Sequence, residues 1–426
     1  MSSNEDQIEK FFNSDSLNEE FFIEIVENKL GISQECFKIK LFLISAATGK
    51  NENYASLVYR AKIKIQLNET NSLKVVDVII KASLVNMPEL KEFGVFPRET
   101  FMYKEILSSF EKIWFEKSGE KIQFSPQGLK FTTDPYEMIV LDDLKPNGYV
   151  MLDRKVGLTV EQGKMVLSKL AKFHAISALR YQKEGVLGSC LARENAAMDV
   201  EIDFVKGFIR MFEELIKALE RFGDCEIYVE KLKKFNHKST FNEFINDDSE
   251  MKCGLKVLNH GDLWINNIMF KIDTNQNVND VLLLDYQLGF WGSPMVDFTS
   301  FVLTSIHDDL KAKHFDEFVE YYHQELSKAL EIIGYEKHIP TLAEIYEEMM
   351  EKNDLAAMVP SYIFFMKYSS DEPINLEAMM GESNDQDLDE IYRKIYECPI
   401  LQKSIKQLMA FLNERGFLEC KQVDAN

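Results

Sequence analysis

The chain has 426 residues, 46% of them hydrophobic; single cores stop growing at roughly 250–300 residues, so one small domain is excluded and two packed lobes are expected. Against 49 basic side chains stand 70 acidic ones, a formal charge of −21, and no basic run overrides it, so nucleic acid is not an expected partner. That acidity serves solubility or, alternatively, a bias towards cationic substrates.

The N-terminal stretch MSSNEDQIEKFF has neither the basic nor the apolar region of a secretory signal, and no run of about 18 uncharged apolar residues follows. Six scattered cysteines, without CxxC or metal-ligand spacing, are expected as reduced thiols. A cytoplasmic protein with no membrane partner is the expectation. From Phe37 to Ser83 the runs FKIKLFLISAAT, ASLVYRAKIKIQL and LKVVDVIIKAS, joined by GKNENY and NETNS, read as a β-meander. A helix from Pro97 to Phe110 follows, with Pro97 at its first position. On it Glu99 falls in line with Met102, Tyr103, Ile106 and Phe110, which puts a carboxylate on the inward stripe. An inward carboxylate needs a cation, and Lys81 at the end of VVDVIIK is the candidate. Taken alone, Lys81 also reads as a strand-end lysine that snorkels. The strand-like runs KFTT and YEMIVL lead to the polar break DDLKPNG, the expected hinge between a β-rich lobe over 1–141 and a helical lobe over 142–426.

Beyond the hinge the spacing turns helical: Leu167, Leu170, Ala171, His174, Ala175 and Ala178 form one stripe. Phe315, Phe318, Val319, Tyr322, Leu326, Leu330 and Ile333 form another, stopped by Gly334. His174, on an apolar face, reads as a core histidine. Between these helices lies a polar β-like insertion from Val257 to Pro294. If IMFKI and VLLLDY are the arms of a hairpin closed by DTNQNVND, pairing Ile272 with Val281 sets Ile268 opposite Asp285 and Asn267 beside it. One carboxylate with one amide oxygen suits Mg²⁺, which takes oxygen ligands and keeps water and phosphates for the rest. Asp262, on the loop entering the hairpin, is placed to orient an acceptor hydroxyl and take its proton; by itself it also reads as a turn or cap. Trp264, Phe290 and Trp291 flank this segment and read as core.

Together, Lys81, Glu99, HGDLWINN and LDYQ resemble the small-molecule branch of the protein-kinase-like fold, whose catalytic loop reads HGDxxxxN and whose metal aspartate sits in IDWQ or IDFE. The HRD and DFG of protein kinases are absent. With NYASLVYRAKI, FPRETFMY, IVLDDLKPNGY, LAKFHAIS and LLLDYQLGFWGSPMVDF, spread over residues 40 to 305, the chain is similar to the insect ecdysteroid kinase-like family, related to choline/ethanolamine kinases and aminoglycoside phosphotransferases. The resemblance implies an α+β bilobal fold, with a small antiparallel N-lobe carrying one main helix and a larger helical C-lobe. It implies ATP and Mg²⁺ as cofactors and a hydroxylated small molecule as acceptor. Asp262 would be the catalytic base, Asn267 and Asp285 the Mg²⁺ ligands, and Lys81 with Glu99 the phosphate clamp. The backbone from Leu141 to Asp143 would hold adenine, and His260 and Asp297 would brace the loop. Asn53, Tyr54, Ala55 and Ser56 would cover the phosphates, in a loop with one glycine where protein kinases have GxGxxG. An ecdysteroid or other lipophilic alcohol is the first expected acceptor, with xenobiotic detoxification close to it and a choline- or ethanolamine-type acceptor after that. The alternative is an inactive kinase-like binding module, although Lys81, Asp262, Asn267 and Asp285 are all present.

Overall fold

The β-branched alternation between Phe37 and Ser83 folds into the expected meander. Strands β1 (Phe37–Ala46), β2 (Ser56–Leu67) and β3 (Leu73–Ser83) run antiparallel, with Ile44 across from Ala61 and Val78 across from Ala61 on the other side. In this computed structural model, residues 17–47, 56–83, 94–134, 137–191, 203–235, 251–275, 277–368 and 385–419 are described. The architecture is α+β, and the chain divides into two compact units: Met1–Glu105 with Ser125–Val150, and Ile106–Phe124 with Met151–Asn426.

In the first unit, β4 (Gly128–Thr132) and β5 (Met138–Asp142) extend the meander to five strands in the order β1-β2-β3-β5-β4. Ala61, Ile63, Ile65, Val78, Ile80 and Val140 line one face without exposure. An unanticipated helix, α1 (Glu19–Leu30), covers that face. Asn18 caps it by accepting the Phe21 N–H at 2.9 Å, and Gly31 ends it in the left-handed region at φ 66°. Burial of Phe22, Ile25 and Val26 against the sheet contributes about 1.5–3 kcal/mol per side chain. Helix α2 (Val95–Phe101) starts two residues before Pro97; proline is still within the first turn, where its missing N–H has no intrahelical acceptor to lose. The expected single helix to Phe110 is broken by a π turn at Met102–Ile106 before α3 (Leu107–Ser118). The extra residue in that turn shifts the stripe, yet Glu99, Met102, Tyr103, Ile106 and Phe110 are all buried.

The second unit is mainly helical. Helix α4 (Val160–Glu184) begins with a capping box in which Thr159 and Gln162 exchange hydrogen bonds. Further on come α5 (Met295–Ser305), α6 (Phe315–Ile333) and α7 (Asn353–Tyr362), and Gly334 stops α6 at φ 74° as its position implied. Among the described residues no helix is long and apolar enough to cross a membrane. Strands β6 (Val257–Asn259) and β9 (Phe290–Gly292) pair antiparallel, and between them β7 (Ile268–Ile272) and β8 (Val278–Leu283) form the hairpin. Its register differs from expectation by two residues: Phe270 faces Val281, and Ile268 faces Leu283. Turn chemistry is the cause. The Asp273 carboxylate accepts the N–H groups of Asn275 and Asn277, its own N–H donates to the Asn277 carbonyl, and a bulge then sets Ile272 across from Val278.

Candidate active site

Lys81 lies on the central strand of the first unit, with Val58 of β2 on one side and Ile139 of β5 on the other. So enclosed, it does not snorkel. Its Nζ meets Glu99 Oε2 at 2.6 Å, and the two side chains are 9% and 1% exposed. Phe96 supplies a ring 5.9 Å from the ammonium. Leu141 faces Ile79 in the ladder. The Asp143 N–H donates to the Asp77 carbonyl at 3.2 Å, while its carboxylate holds Arg60 and accepts the Lys145 N–H. The amide of Asp143 is therefore already engaged. Ser56 opens β2, buried and across from Ser83; Asn53, Tyr54 and Ala55 lie outside the described residues.

In the second unit β6 delivers the chain to His260, Gly261 and Asp262. Asp297, on the first turn of α5, accepts the N–H of His260 at 2.6 Å on one oxygen and that of Gly261 at 2.9 Å on the other. His174 of α4 adds Nε2 at 3.2 Å, while its Nδ1 takes the Tyr322 hydroxyl at 2.7 Å. A fully buried carboxylate is thus matched by three donors, and the α5 N-terminus favours its charge. The ring of His260 points onward: Nε2 donates to the Leu284 carbonyl at 2.8 Å, and Nδ1 accepts the Asp262 N–H at 3.3 Å. Both bonds require a neutral ring. Burial supplies it by holding His260 below the ordinary imidazole range, against the opposing pull of Asp297 and Asp285.

Gly261 has φ +82°, and a Cβ there would collide with the Leu288 carbonyl oxygen and lie 2.7 Å from its carbon. Only glycine fits both the dihedral and the approach. Gly261→Ala is expected to leave most of the molecule folded and to lower turnover by roughly a hundredfold, since an ångström of misplacement costs that much. Steady-state kinetics beside a melting curve would check this; unimpaired turnover would remove the role given to the close packing.

Asn267 ends the loop. Its Nδ2 donates to the Asp262 carbonyl at 2.8 Å and to Asp262 Oδ2 at 2.9 Å, which aims the Asp262 carboxylate and turns Asn267 Oδ1 to the opposite side. The Leu284 N–H donates to the Asn267 carbonyl at 2.8 Å, so Asp285 stands one residue beyond the Asn267 partner. There the backbone enters the left-handed region, φ 65° and ψ 61°, which aspartate tolerates better than bulkier residues. Gln287 Nε2 donates to Asp285 Oδ2 at 3.3 Å. Among the described residues no group of three or more His, Cys, Asp or Glu is gathered for a metal ion. The donor set of Asp285 and Asn267 Oδ1 fits Mg²⁺, which takes one or two protein oxygens when phosphates and water complete the shell.

Several residues of this centre carried no clear signal in the sequence. His174 is the core histidine expected, but it also braces the catalytic loop through Asp297, 123 residues away. Tyr362, at the end of α7, was not singled out. Burial raises its hydroxyl far above the usual phenol range, Ser300 opposes the rise through a hydrogen bond, and the nearby Asp262 carboxylate adds to it. Trp291 is fully buried and donates Nε1–H to the Leu187 carbonyl, as a core residue would.

A model of the ecdysteroid kinase-like family matches residues 50–335. A search of curated proteins gives no match. Among solved structures, the amicoumacin kinase hAmiN in complex with AMP-PNP, Ca²⁺ and Ami aligns over 92% of this chain and 97% of that one, at 12% identity and a TM-score of 0.34.

Proposed function

Because the chain belongs to the ecdysteroid kinase-like family, we propose that it transfers the γ-phosphoryl group of ATP to the hydroxyl of a lipophilic small-molecule alcohol, with an ecdysteroid as the first candidate. The observation that carries this reading is the loop from Gly261 to Asn267. There a carboxylate is held by an amide whose own oxygen is free to face a cation, and the whole is fixed to Asp297.

In the reaction, Asp262 takes the proton of the acceptor hydroxyl as its oxygen attacks the γ-phosphorus, and the bond to the ADP oxygen breaks. Asn267 and Asp285 hold Mg²⁺, which neutralises charge on the β- and γ-phosphates. Lys81, oriented by Glu99, pairs with the α- and β-phosphates. Leu141 and Asp143 flank the adenine, and Ser56 with Asn53, Tyr54 and Ala55 covers the phosphates. His260 and Asp297 do no chemistry; they keep Asp262 in place.

The test is a mass-spectrometric screen. With Mg²⁺ and ATP, the purified protein should add one phosphate to an ecdysteroid, and it should be challenged in parallel with other sterols, choline, ethanolamine and aminoglycosides. Phosphorylation of choline or an aminoglycoside in place of any sterol would reject the lipophilic acceptor. Asp285→Ala should weaken Mg²⁺-ATP binding by about tenfold or more in calorimetry; an unchanged affinity and Mg²⁺ dependence would remove Asp285 as a ligand.

A further inference from the structure

The sheet face turned away from α1 carries ordered cross-strand rows: Leu41–Lys64–Val75, Leu43–Lys62–Asp77 and, at the far end, Lys38–Gln66 beside Leu73. Leu41, Leu43, Leu73 and Val75 are between 51% and 60% exposed. Lys38, Lys40, Lys62 and Lys64 stand exposed among them, Lys40 because the irregularity between Ile39 and Leu41 turns two consecutive residues outward. The one carboxylate in these rows, Asp77, lies 3.9 Å from Lys62. In the sequence the lysines alternate singly with apolar residues and form no run, so only the register collects them.

We propose that this face docks on an anionic membrane surface. The chain as a whole carries −21, but at physiological salt screening is complete within about 8 Å, so a partner at this face meets four ammonium groups and not the net charge. The chemistry of the face is mixed in a particular way. Aliphatic tips enter the boundary between headgroups and acyl chains, while lysine stems lie along the same surface and carry their charges up to lipid phosphates. A nucleic acid would use the lysines and leave four aliphatic side chains in water. A second copy added along the β1 edge would bring Lys38 and Lys40 towards the same lysines of its partner. An anionic lipid surface satisfies both halves, and the lack of a membrane-spanning segment does not bear on a surface of this kind. The proposal is independent of the kinase reading.

Co-sedimentation of the full chain with phosphatidylcholine vesicles, with and without phosphatidylserine and in the absence of nucleotide, tests it. Binding is expected only where phosphatidylserine is present, and it should weaken with salt. Replacing Lys38, Lys40, Lys62 and Lys64 by glutamine should lower the partition coefficient about fivefold per lysine, and Leu41→Ser with Leu43→Ser should lower it about tenfold. All six positions are solvent-facing, so circular dichroism and melting should match the parent. No binding to phosphatidylserine vesicles, equal binding to neutral ones, or binding unaffected by these substitutions overturns the proposal. Tighter binding of a duplex oligonucleotide, or a dimer abolished by the leucine changes, also overturns it by assigning the face to another occupant.

Discussion

Asp262→Ala is expected to lower phosphoryl transfer by roughly 10²–10⁴-fold, the usual contribution of a positioned general base, with ATP affinity changed little. The loop should survive the change, because its anchors are the His260 and Gly261 N–H groups on Asp297 and the His260 ring on Leu284, none of which uses the Asp262 side chain. One bond is lost: Asn267 Nδ2 keeps the Asp262 carbonyl but no longer meets Oδ2. Asp262→Asn separates the two effects, since it keeps a side-chain oxygen for Asn267 and removes the basic carboxylate. Both variants should be nearly inactive if proton removal is what matters. Activity retained by the asparagine variant would make Asp262 a positioning residue for Asn267, and unchanged activity in both would end its assignment as the base.

Lys81→Met is expected to destabilise the first unit by about 3–5 kcal/mol, because it leaves the Glu99 carboxylate buried without its cation. The pair is nearly dry, with side-chain exposures of 9% and 1%, so solvent does little to soften the loss. Adding Glu99→Leu should restore most of that stability, since a buried pair replaced by apolar residues of similar volume is often neutral. Function should not follow. Both the single and the double variant lack the ammonium for the nucleotide phosphates, and turnover should fall by roughly 10²–10³-fold in each, as when one preorganised electrostatic group is removed. Thermal unfolding and single-turnover kinetics read the two quantities apart. Recovery of turnover together with stability in the double variant would show that the pair serves the fold alone.

What the sequence disclosed follows the physics of each element. The meander was legible because alternation with period two survives in Val76, Val78 and Ile80 on one side of β3, and the pairing of Lys81 with Glu99 because a charge on an apolar strand and one on an apolar helix stripe need each other. The hairpin register was not legible. A shift of two residues returns every side chain of β7 and β8 to the same face, so hydrophobic pattern cannot tell the alternatives apart, and the choice falls to the Asp273 turn. The π turn at Met102–Ile106 has no residue signature, and α1 acquires meaning only against the sheet it covers. In the site, Asp262, Asn267, Asp285 and His260 were read from short spacings, whereas the bond from His174 to Asp297 joins helices distant in the chain and is produced by packing.

The left-handed backbone at Asp285 bears on how such a chain would decay over generations. Asparagine enters that region as readily as aspartate, and a single base change converts one codon into the other. A duplicated gene relieved of selection for catalysis would therefore lose its metal carboxylate by a step that leaves the hairpin, the loop and the helices undisturbed. Among descendants of this chain, an intact outline is no guide to activity; the residue at 285 is where silent retirement would be written first.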